Sequence, residues 1–214
     1  MSTHIHNLLC LGDSYTIGES VPLHGGFPYQ TVQLLRKQGL HFHAPEIIAQ
    51  TGWTSFELAD HILNHQLETH YDFVSLLIGV NNQYRGLPLM GFQNDFEFLL
   101  KKAIHFAGGN ASRVIVISIP DWSVTPFAAK RSIGNASKEI DSFNATCASF
   151  AKKYQCHYID ITTDLRNNKN DSGILAGDQL HYSAKSHAVW AEQLKGLIQE
   201  EIFHKTKKLF ELNK

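Results

Sequence analysis

The stretch LLCLGDSYTIG, residues 8–18, changes character within one residue. Apolar side chains run up to Gly12, and a carboxylate and a hydroxyl follow at once as Asp13 and Ser14. A short apolar run bounded by a turn residue is typical of a strand that is buried on both faces. The polar pair stands where the chain has to turn. The stretch therefore predicts a buried strand that delivers a hydroxyl to the edge of a sheet.

Four further apolar runs follow along the chain, separated by segments of helical period. Together with the first run, they predict strands at 7–12, 43–49, 73–79, 113–119 and 157–161. The segments between them predict helices at 29–38, 55–64, 91–106, 137–154 and 184–209. Thr54 and Glu57 have the spacing of a capping box, which sets the start of the second helix. This alternation predicts an α/β fold with a parallel sheet and crossover helices.

The composition limits the class of protein. The chain has 214 residues, 43% hydrophobic and 18% charged, with a net charge of −1. These values suit one globular domain spanning 1–214. A nearly neutral chain lacks the broad positive field that nucleic acid requires, so we expect no nucleic-acid partner. The sequence does not predict an oligomeric state.

Other patterns argue against membrane, disulfide and metal chemistry. No segment approaches the roughly 20 apolar residues of a membrane span, and the N-terminus has no signal-peptide pattern, so we expect a cytoplasmic location without membrane insertion. Cys10, Cys147 and Cys156 are odd in number and form no CxxC pair, which predicts neither a disulfide framework nor a zinc site. His61 and His65 have ligand spacing, yet no third ligand is evident, so we predict no metal.

The loops at the carboxyl ends of the predicted strands carry the polar residues. In parallel α/β sheets ligands bind at this edge. Serine becomes a nucleophile when a base takes its proton, and His181 is the candidate base for Ser14. Asp178, three residues earlier, can orient the imidazole. Candidate donors to an oxyanion are the backbone N–H groups of Ser14 and Gly52 and the side-chain amide of Asn81.

These residues resemble the four sequence blocks of the SGNH hydrolases, also called the GDSL esterases and lipases. Ser14, Gly52, Asn81 and His181 match, in order, the serine, glycine, asparagine and histidine of the name. The first block reads GDSY at 12–15, with tyrosine where the nickname has leucine, and the last reads DQLH at 178–181. The third usually reads Gly-x-Asn-Asp, and here Asn82 replaces the carboxylate. The resemblance covers about residues 7–200.

The resemblance implies a flavodoxin-like three-layer α/β/α sandwich with a five-stranded, mostly parallel sheet. It also implies hydrolysis of carboxylic esters or thioesters of small to medium acyl groups through an acyl-enzyme, without a metal or organic cofactor. The partner would be a small-molecule ester, with acetylated sugars, lysophospholipids and thioesters all open. Two alternatives remain: an acyltransferase that passes the acyl group to an alcohol, and a carbohydrate- or lipid-binding module without turnover.

Side chains beside the same loops are candidates for substrate contact, and several of them have a structural alternative. Asp13 could brace its turn. An arginine such as Arg85 more commonly lies on the surface. Asn82 is as well suited to hydrogen bonding within its own loop, so it is left out of the set. The substrate-contact candidates are Asp13, Tyr15, Trp53, Tyr84, Arg85 and Trp122.

Overall fold

A single sheet of five strands forms the centre of the computed structural model, which describes residues 4–131 and 133–212. The strands are β1 Leu8–Gly12, β2 Glu46–Ala49, β3 Phe73–Leu77, β4 Val114–Ile117 and β5 His157–Ile159. Their order across the sheet is β2-β1-β3-β4-β5, and every neighbouring pair is parallel. β1, β3 and β4 are buried along their whole length, as continuous apolar runs predict. The predicted α/β class is confirmed.

Helices connect the strands. The α-helices are α1 Ser14–Ile17, α2 Phe27–Lys37, α3 Ser55–Asn64, α4 Val80–Tyr84, α5 Leu89–Phe106, α6 Ala136–Tyr154, α7 Thr162–Asn167 and α8 Ala184–Leu212. Short 3₁₀ turns cover Leu23–Gly25, Ala111–Arg113, Trp122–Val124, Ala128–Lys130 and Ser172–Ile174. The five predicted helices are present. The sequence did not predict α1, α4 and α7, because helices of four to six residues are too short to show a period.

Local chemistry explains where two elements begin. The hydroxyl of Thr54 accepts a hydrogen bond from the Glu57 backbone, and the Glu57 carboxylate accepts one from the Thr54 backbone at 2.7 Å, so the predicted capping box is confirmed. β2 begins at Glu46, three residues later than predicted. Pro45, which has no N–H to donate, stands just before it and delays the ladder.

The helices lie in two layers on the sheet. α2 packs against α8, while α5 packs against both α3 and α6. The chain runs from β1 outward to β2 and then returns to β3 on the other side of β1. Crossovers of one hand therefore place the two groups of helices on opposite faces. Within the described ranges, no helix combines the length and the apolar character needed to cross a bilayer.

This strand order decides where a ligand can bind. The crossovers diverge between β1 and β3, which leaves a crevice beyond the carboxyl ends of these two strands. Gly12 ends β1 opposite Leu77, the last residue of β3. Ser14 and Asn81 follow these two strands and therefore meet at the crevice.

Candidate active site

Ser14 occupies the first position of α1, directly beyond β1. The Asp13 side chain caps this short helix by accepting a hydrogen bond from a backbone N–H. Gly12 is required at the turn, since a Cβ there would lie 2.0 Å from Thr16 Oγ1 and 2.4 Å from the carbonyl oxygen of Leu77. The apolar stretch ends in a glycine because the chain turns against β3 at this point, which brings the Ser14 hydroxyl to the crevice.

Ser14, His181 and Asp178 form one hydrogen-bonded line. Ser14 Oγ lies 3.0 Å from His181 Nε2, and His181 Nδ1 lies 2.6 Å from Asp178 Oδ2. An ionised carboxylate accepts only, so we assign the imidazole proton to Nδ1, which leaves Nε2 to accept from the serine hydroxyl. This tautomer is the one that a general base requires.

The described residues give the Asp178 carboxylate four hydrogen bonds. Oδ1 accepts from the backbone N–H groups of Leu180 and His181 at 3.0 and 2.9 Å, and Oδ2 accepts from Ser20 Oγ at 2.7 Å in addition to the imidazole. Burial opposes the charged form, but these hydrogen bonds outweigh it and hold the pKa of Asp178 well below its usual range. Asp178 is therefore an anion at neutral pH.

Ser20 is a residue of the site that the sequence did not predict. It lies 158 residues before Asp178, and nothing in its local pattern distinguishes it from another loop serine. The clearest signal is in the backbone, where Ser20 has a φ of +65°, in the left-handed region that favours glycine. Ser20 thus combines a strained backbone with a hydrogen bond from its hydroxyl to the Asp178 carboxylate.

Asn81 and Gly52 lie on neighbouring loops that are tied together. Gly52 has a φ of +84°, which a side chain would strain. Asn81 donates one hydrogen of its side-chain amide to the Trp53 carbonyl at 2.9 Å and keeps the second for another acceptor. Arg85 donates to the Gly52 carbonyl. These contacts fix the Gly52 loop against α4 beside the crevice.

Asn82 stands where the family motif usually has an aspartate, and its contacts account for the change. Its Oδ1 accepts from the Ser55 backbone at 2.9 Å, and its Nδ2 donates to Ser55 Oγ at 2.8 Å. That hydroxyl in turn donates to Asp95 Oδ2 at 2.8 Å. The buried Asn82 thus anchors the start of α3, and the nearby carboxylate is supplied by Asp95 on α5.

A cavity of about 140 Å³ opens beside Ser14. Three of the substrate-contact candidates, Tyr15, Tyr84 and Trp122, lie in its wall and give it an aromatic character. The apolar residues Val80, Phe127 and Leu180, which the sequence did not identify as site residues, complete the wall. The wall consists of Ser14, Tyr15, Val80, Asn81, Tyr84, Trp122, Phe127, Leu180 and His181.

The Trp122 indole is held in place from behind. Its Nε1 donates to Gln83 Oε1 at 2.7 Å, and Gln83 Nε2 donates to Glu139 Oε2 at 2.8 Å. The Tyr84 ring meets the indole edge to face at 5.1 Å. Because these contacts fix the ring on two sides, Trp122 forms a rigid wall of the cavity.

The other three substrate-contact candidates make structural contacts. Asp13 is completely buried beneath the turn. The Trp53 ring packs 4.9 Å from that of His61, and Arg85 forms an ion pair with Glu57 at 3.4 Å in addition to its contact with the loop carbonyl. These contacts show a structural role for each of the three residues.

Comparison with known protein families gives a match that spans most of the chain. The model of the GDSL-like lipase/acylhydrolase family matches residues 10–189, a segment that contains Ser14, Asp178 and His181. No curated protein matches the sequence.

Several solved structures share the fold. A G-D-S-L family protein from Desulfitobacterium hafniense DCB-2 superposes with a TM-score of 0.70 at 17% identity, over 90% of this chain and 99% of that one. The acetylxylan esterase Axe2 from Geobacillus stearothermophilus gives 0.70 at 18% identity, over 90% and 94%. The esterase EstA from Pseudoalteromonas sp. gives 0.61 at 17% identity, over 96% and 99%. At such identities the likeness concerns the fold.

Proposed function

The chain belongs to the GDSL-like lipase/acylhydrolase family and is an ester hydrolase of that type, and on this premise we propose that it is a serine esterase. Ser14 is the nucleophile, His181 the general base and Asp178 the group that orients His181. The observation that carries this proposal is the unbroken hydrogen-bonded line from Ser14 Oγ through the imidazole to the carboxylate.

The geometry supports a two-step reaction. Ser14 Oγ attacks the ester carbonyl carbon while His181 Nε2 takes the hydroxyl proton, and Asp178 stabilises the imidazolium that forms. His181 then gives the proton to the departing alcohol, which leaves an acyl-enzyme on Ser14. A water molecule, deprotonated by the same nitrogen, attacks this ester, and His181 returns the proton to Ser14 Oγ as the acid is released.

Three donors are suited to the oxyanion that forms in each step. Ser14 is the first residue of α1, so its N–H has no acceptor within the helix. Gly52 has no side chain to block approach to its N–H. The second hydrogen of the Asn81 amide completes the set. Removal of one such donor typically lowers the rate about 10²- to 10³-fold.

The cavity favours a short acyl group. Its volume of about 140 Å³ is close to that of an apolar cavity of about 150 Å³ that accommodates benzene. A long fatty acyl chain would extend out of this open cavity into solvent, whereas the walls surround an acyl group of a few carbons. We therefore expect the best substrates to be short-chain esters.

Hydrolysis of p-nitrophenyl esters tests the assignment. We expect turnover by the wild type, falling as the acyl chain lengthens from acetyl to dodecanoyl. Ser14→Ala should lower kcat by about 10⁶-fold, since loss of the nucleophile abolishes the covalent route. The matched control is Ser142→Ala, which removes an exposed hydroxyl on α6 and should leave the rate unchanged.

A covalent probe makes the test independent of substrate choice. An alkyl phosphonate with a good leaving group should add to Ser14 in the wild type and in Ser142→Ala, and the labelled peptide should disappear in Ser14→Ala. Equal turnover and equal labelling in the wild type and Ser14→Ala would remove Ser14 as the nucleophile.

A further inference from the structure

Three side chains of metal-ligating type meet at the end of the sheet opposite Ser14. His4 and His6 precede β1, and Asp72 directly precedes β3. Because β1 and β3 are parallel neighbours, with Leu8 opposite Phe73, these segments meet at the amino ends of the strands. One ligand atom from each side chain lies within 4.8 Å of the other two.

The contacts of the cluster centre on the Asp72 carboxylate. His4 Nε2 lies 2.9 Å from Oδ2 and 3.0 Å from Oδ1, and His6 Nδ1 lies 3.4 Å from Oδ1. The side chains of Asp72 and His6 are only 7% and 15% exposed, whereas His4 is 55% exposed. The cluster thus has a buried base formed by Asp72 and His6 and one ligand, His4, that reaches solvent.

His6 supplies the observation that points to a ligand. Its Nδ1 is buried, and within the described part of the chain it has no hydrogen-bond partner. A buried ring nitrogen without a partner costs free energy unless another species meets it. Nδ1 lies 3.4 Å from Asp72 Oδ1 without the geometry of a hydrogen bond, so a cation bound to both atoms would give this nitrogen a partner.

We propose that His4, His6 and Asp72 bind a divalent transition-metal ion of the zinc type. Two imidazoles and one carboxylate suit Zn²⁺ and leave a fourth position for water, whereas Mg²⁺ and Ca²⁺ prefer oxygen ligands throughout. Two ligands bound about 2.1 Å from a tetrahedral ion lie about 3.4 Å apart. This is the separation between His6 Nδ1 and Asp72 Oδ1, and the exposed His4 has room to adjust.

The surroundings position the carboxylate and limit the affinity. The Asn7 backbone donates to Asp72 Oδ2 at 3.1 Å, and the Asn7 side chain accepts from the Asp72 backbone at 2.7 Å. Such contacts orient a metal ligand. Arg113 Nη1 lies 3.7 Å from Oδ1, and its charge opposes a cation. We therefore expect binding in the micromolar range, with the ion fastening the segment before β1 to the start of β3.

Calorimetric titration with ZnSO₄ of the full chain without a histidine tag tests the site. We expect one ion per chain at this site, with an affinity at least tenfold weaker in His4→Ala, since a ligand is lost. His4 is the exposed member of the cluster, so this variant should fold. The matched control is His65→Ala, which removes an exposed ring that stacks on His61 just beyond the end of α3 and should leave the affinity unchanged.

Two further readouts separate this site from the other histidines of the chain. Zn²⁺ should raise the thermal midpoint of the wild type and of His65→Ala clearly more than that of His4→Ala, because an ion that binds only the folded chain stabilises it in proportion to its affinity. Co²⁺ should give the visible spectrum of a tetrahedral site in the same two proteins. Equal Zn²⁺ affinity in the wild type and His4→Ala, or no binding by the wild type at millimolar Zn²⁺, would overturn the proposal. Neither readout depends on Ser14.

Discussion

Asp178 and Asp13 both lie beside the Ser14 turn, but their carboxylates have opposite environments and opposite shifts in pKa. Asp178 accepts four hydrogen bonds from described residues, and its pKa is held well below its usual range. Asp13 is completely buried, and its Oδ1 accepts from the Tyr15 backbone. Its Oδ2 has no hydrogen-bond partner among the residues that the structure describes. Burial raises the pKa of Asp13 to about 7.

The difference shows that the donors facing a carboxylate decide its charge. Asp13 is adjacent to Ser14 in sequence, yet its carboxyl group is partly protonated near neutral pH. Its contact is with the backbone of the turn, at the Tyr15 N–H. Asp178 is 164 residues away from Ser14 in the sequence, yet it stays charged and can stabilise the imidazolium of His181. Sequence proximity to the nucleophile therefore does not identify the group that supports catalysis.

Among the variants that test this contrast, Asp178→Asn should lower the rate of hydrolysis the most. An amide in place of the carboxylate can donate to His181 Nδ1, which moves the ring proton to Nε2 and prevents that nitrogen from accepting the Ser14 proton. We expect kcat for p-nitrophenyl acetate to fall about 10⁴-fold with the fold retained. The control is Asp171→Asn in the preceding loop, whose carboxylate pairs with Lys185 at 2.7 Å and should matter little. A loss below about tenfold would contradict the assigned role.

Asp13→Asn should act on stability instead. The pKa of Asp13 is raised from 3.8 to about 7 in the folded chain, so between these values the folded state holds a proton that the unfolded state has released. The free energy of unfolding therefore falls as pH rises through this window, by up to about 4 kcal/mol. Asparagine keeps the Oδ1 acceptor and cannot ionise, so the variant should lose this decline.

Urea unfolding gives the free energy of unfolding of the wild type and of Asp13→Asn at about pH 4 and about pH 8. The change between the two pH values in the wild type, minus the same change in the variant, measures the decline due to Asp13. Comparison across pH removes any constant cost of placing the asparagine amide in the buried site. Hydrolysis should be impaired far less than in Asp178→Asn. If the two proteins show the same pH dependence of unfolding, Asp13 does not carry the buried, raised pKa.

The features predictable from sequence are those decided over a few neighbouring residues. The apolar runs predicted the five strands, and Thr54 with Glu57 predicted the start of α3 at its observed residue. The Asp178–His181 pair was predictable because the three-residue spacing lets the carboxylate meet both the ring and the backbone of the histidine. The packing of α8 against α2 then brings this pair to Ser14.

The features that escaped prediction depend on contacts between distant segments. Ser20 reaches Asp178 only after α8 has packed against α2 and brought the final loop over the first. The anchoring of Asn82 requires Ser55 and Asp95 from two other helices. The burial of Asp13, and with it the raised pKa, arises from packing around the turn and has no signature in the sequence itself.

Ser20→Ala should change the rate of hydrolysis the least, because it removes only one of the hydrogen bonds to the Asp178 carboxylate. Three hydrogen bonds to Asp178 remain, so the carboxylate stays ionised, and we expect kcat to fall about three- to tenfold. A carboxylate with one donor fewer attracts the protonated imidazole more strongly, so the acid limb of the kcat/KM profile should move to higher pH. A purely structural role for Ser20 would leave this limb in place.

Ser20→Gly is the matched variant, because it removes the same hydroxyl and relieves the positive φ. We expect the same kinetic change as in Ser20→Ala, but a chain more stable than Ser20→Ala by about 1 kcal/mol, since glycine adopts the left-handed region without a steric cost. A kinetic change in the alanine variant alone would assign the effect to the backbone. Equal kinetics in both variants and the wild type would show that three donors suffice to hold Asp178.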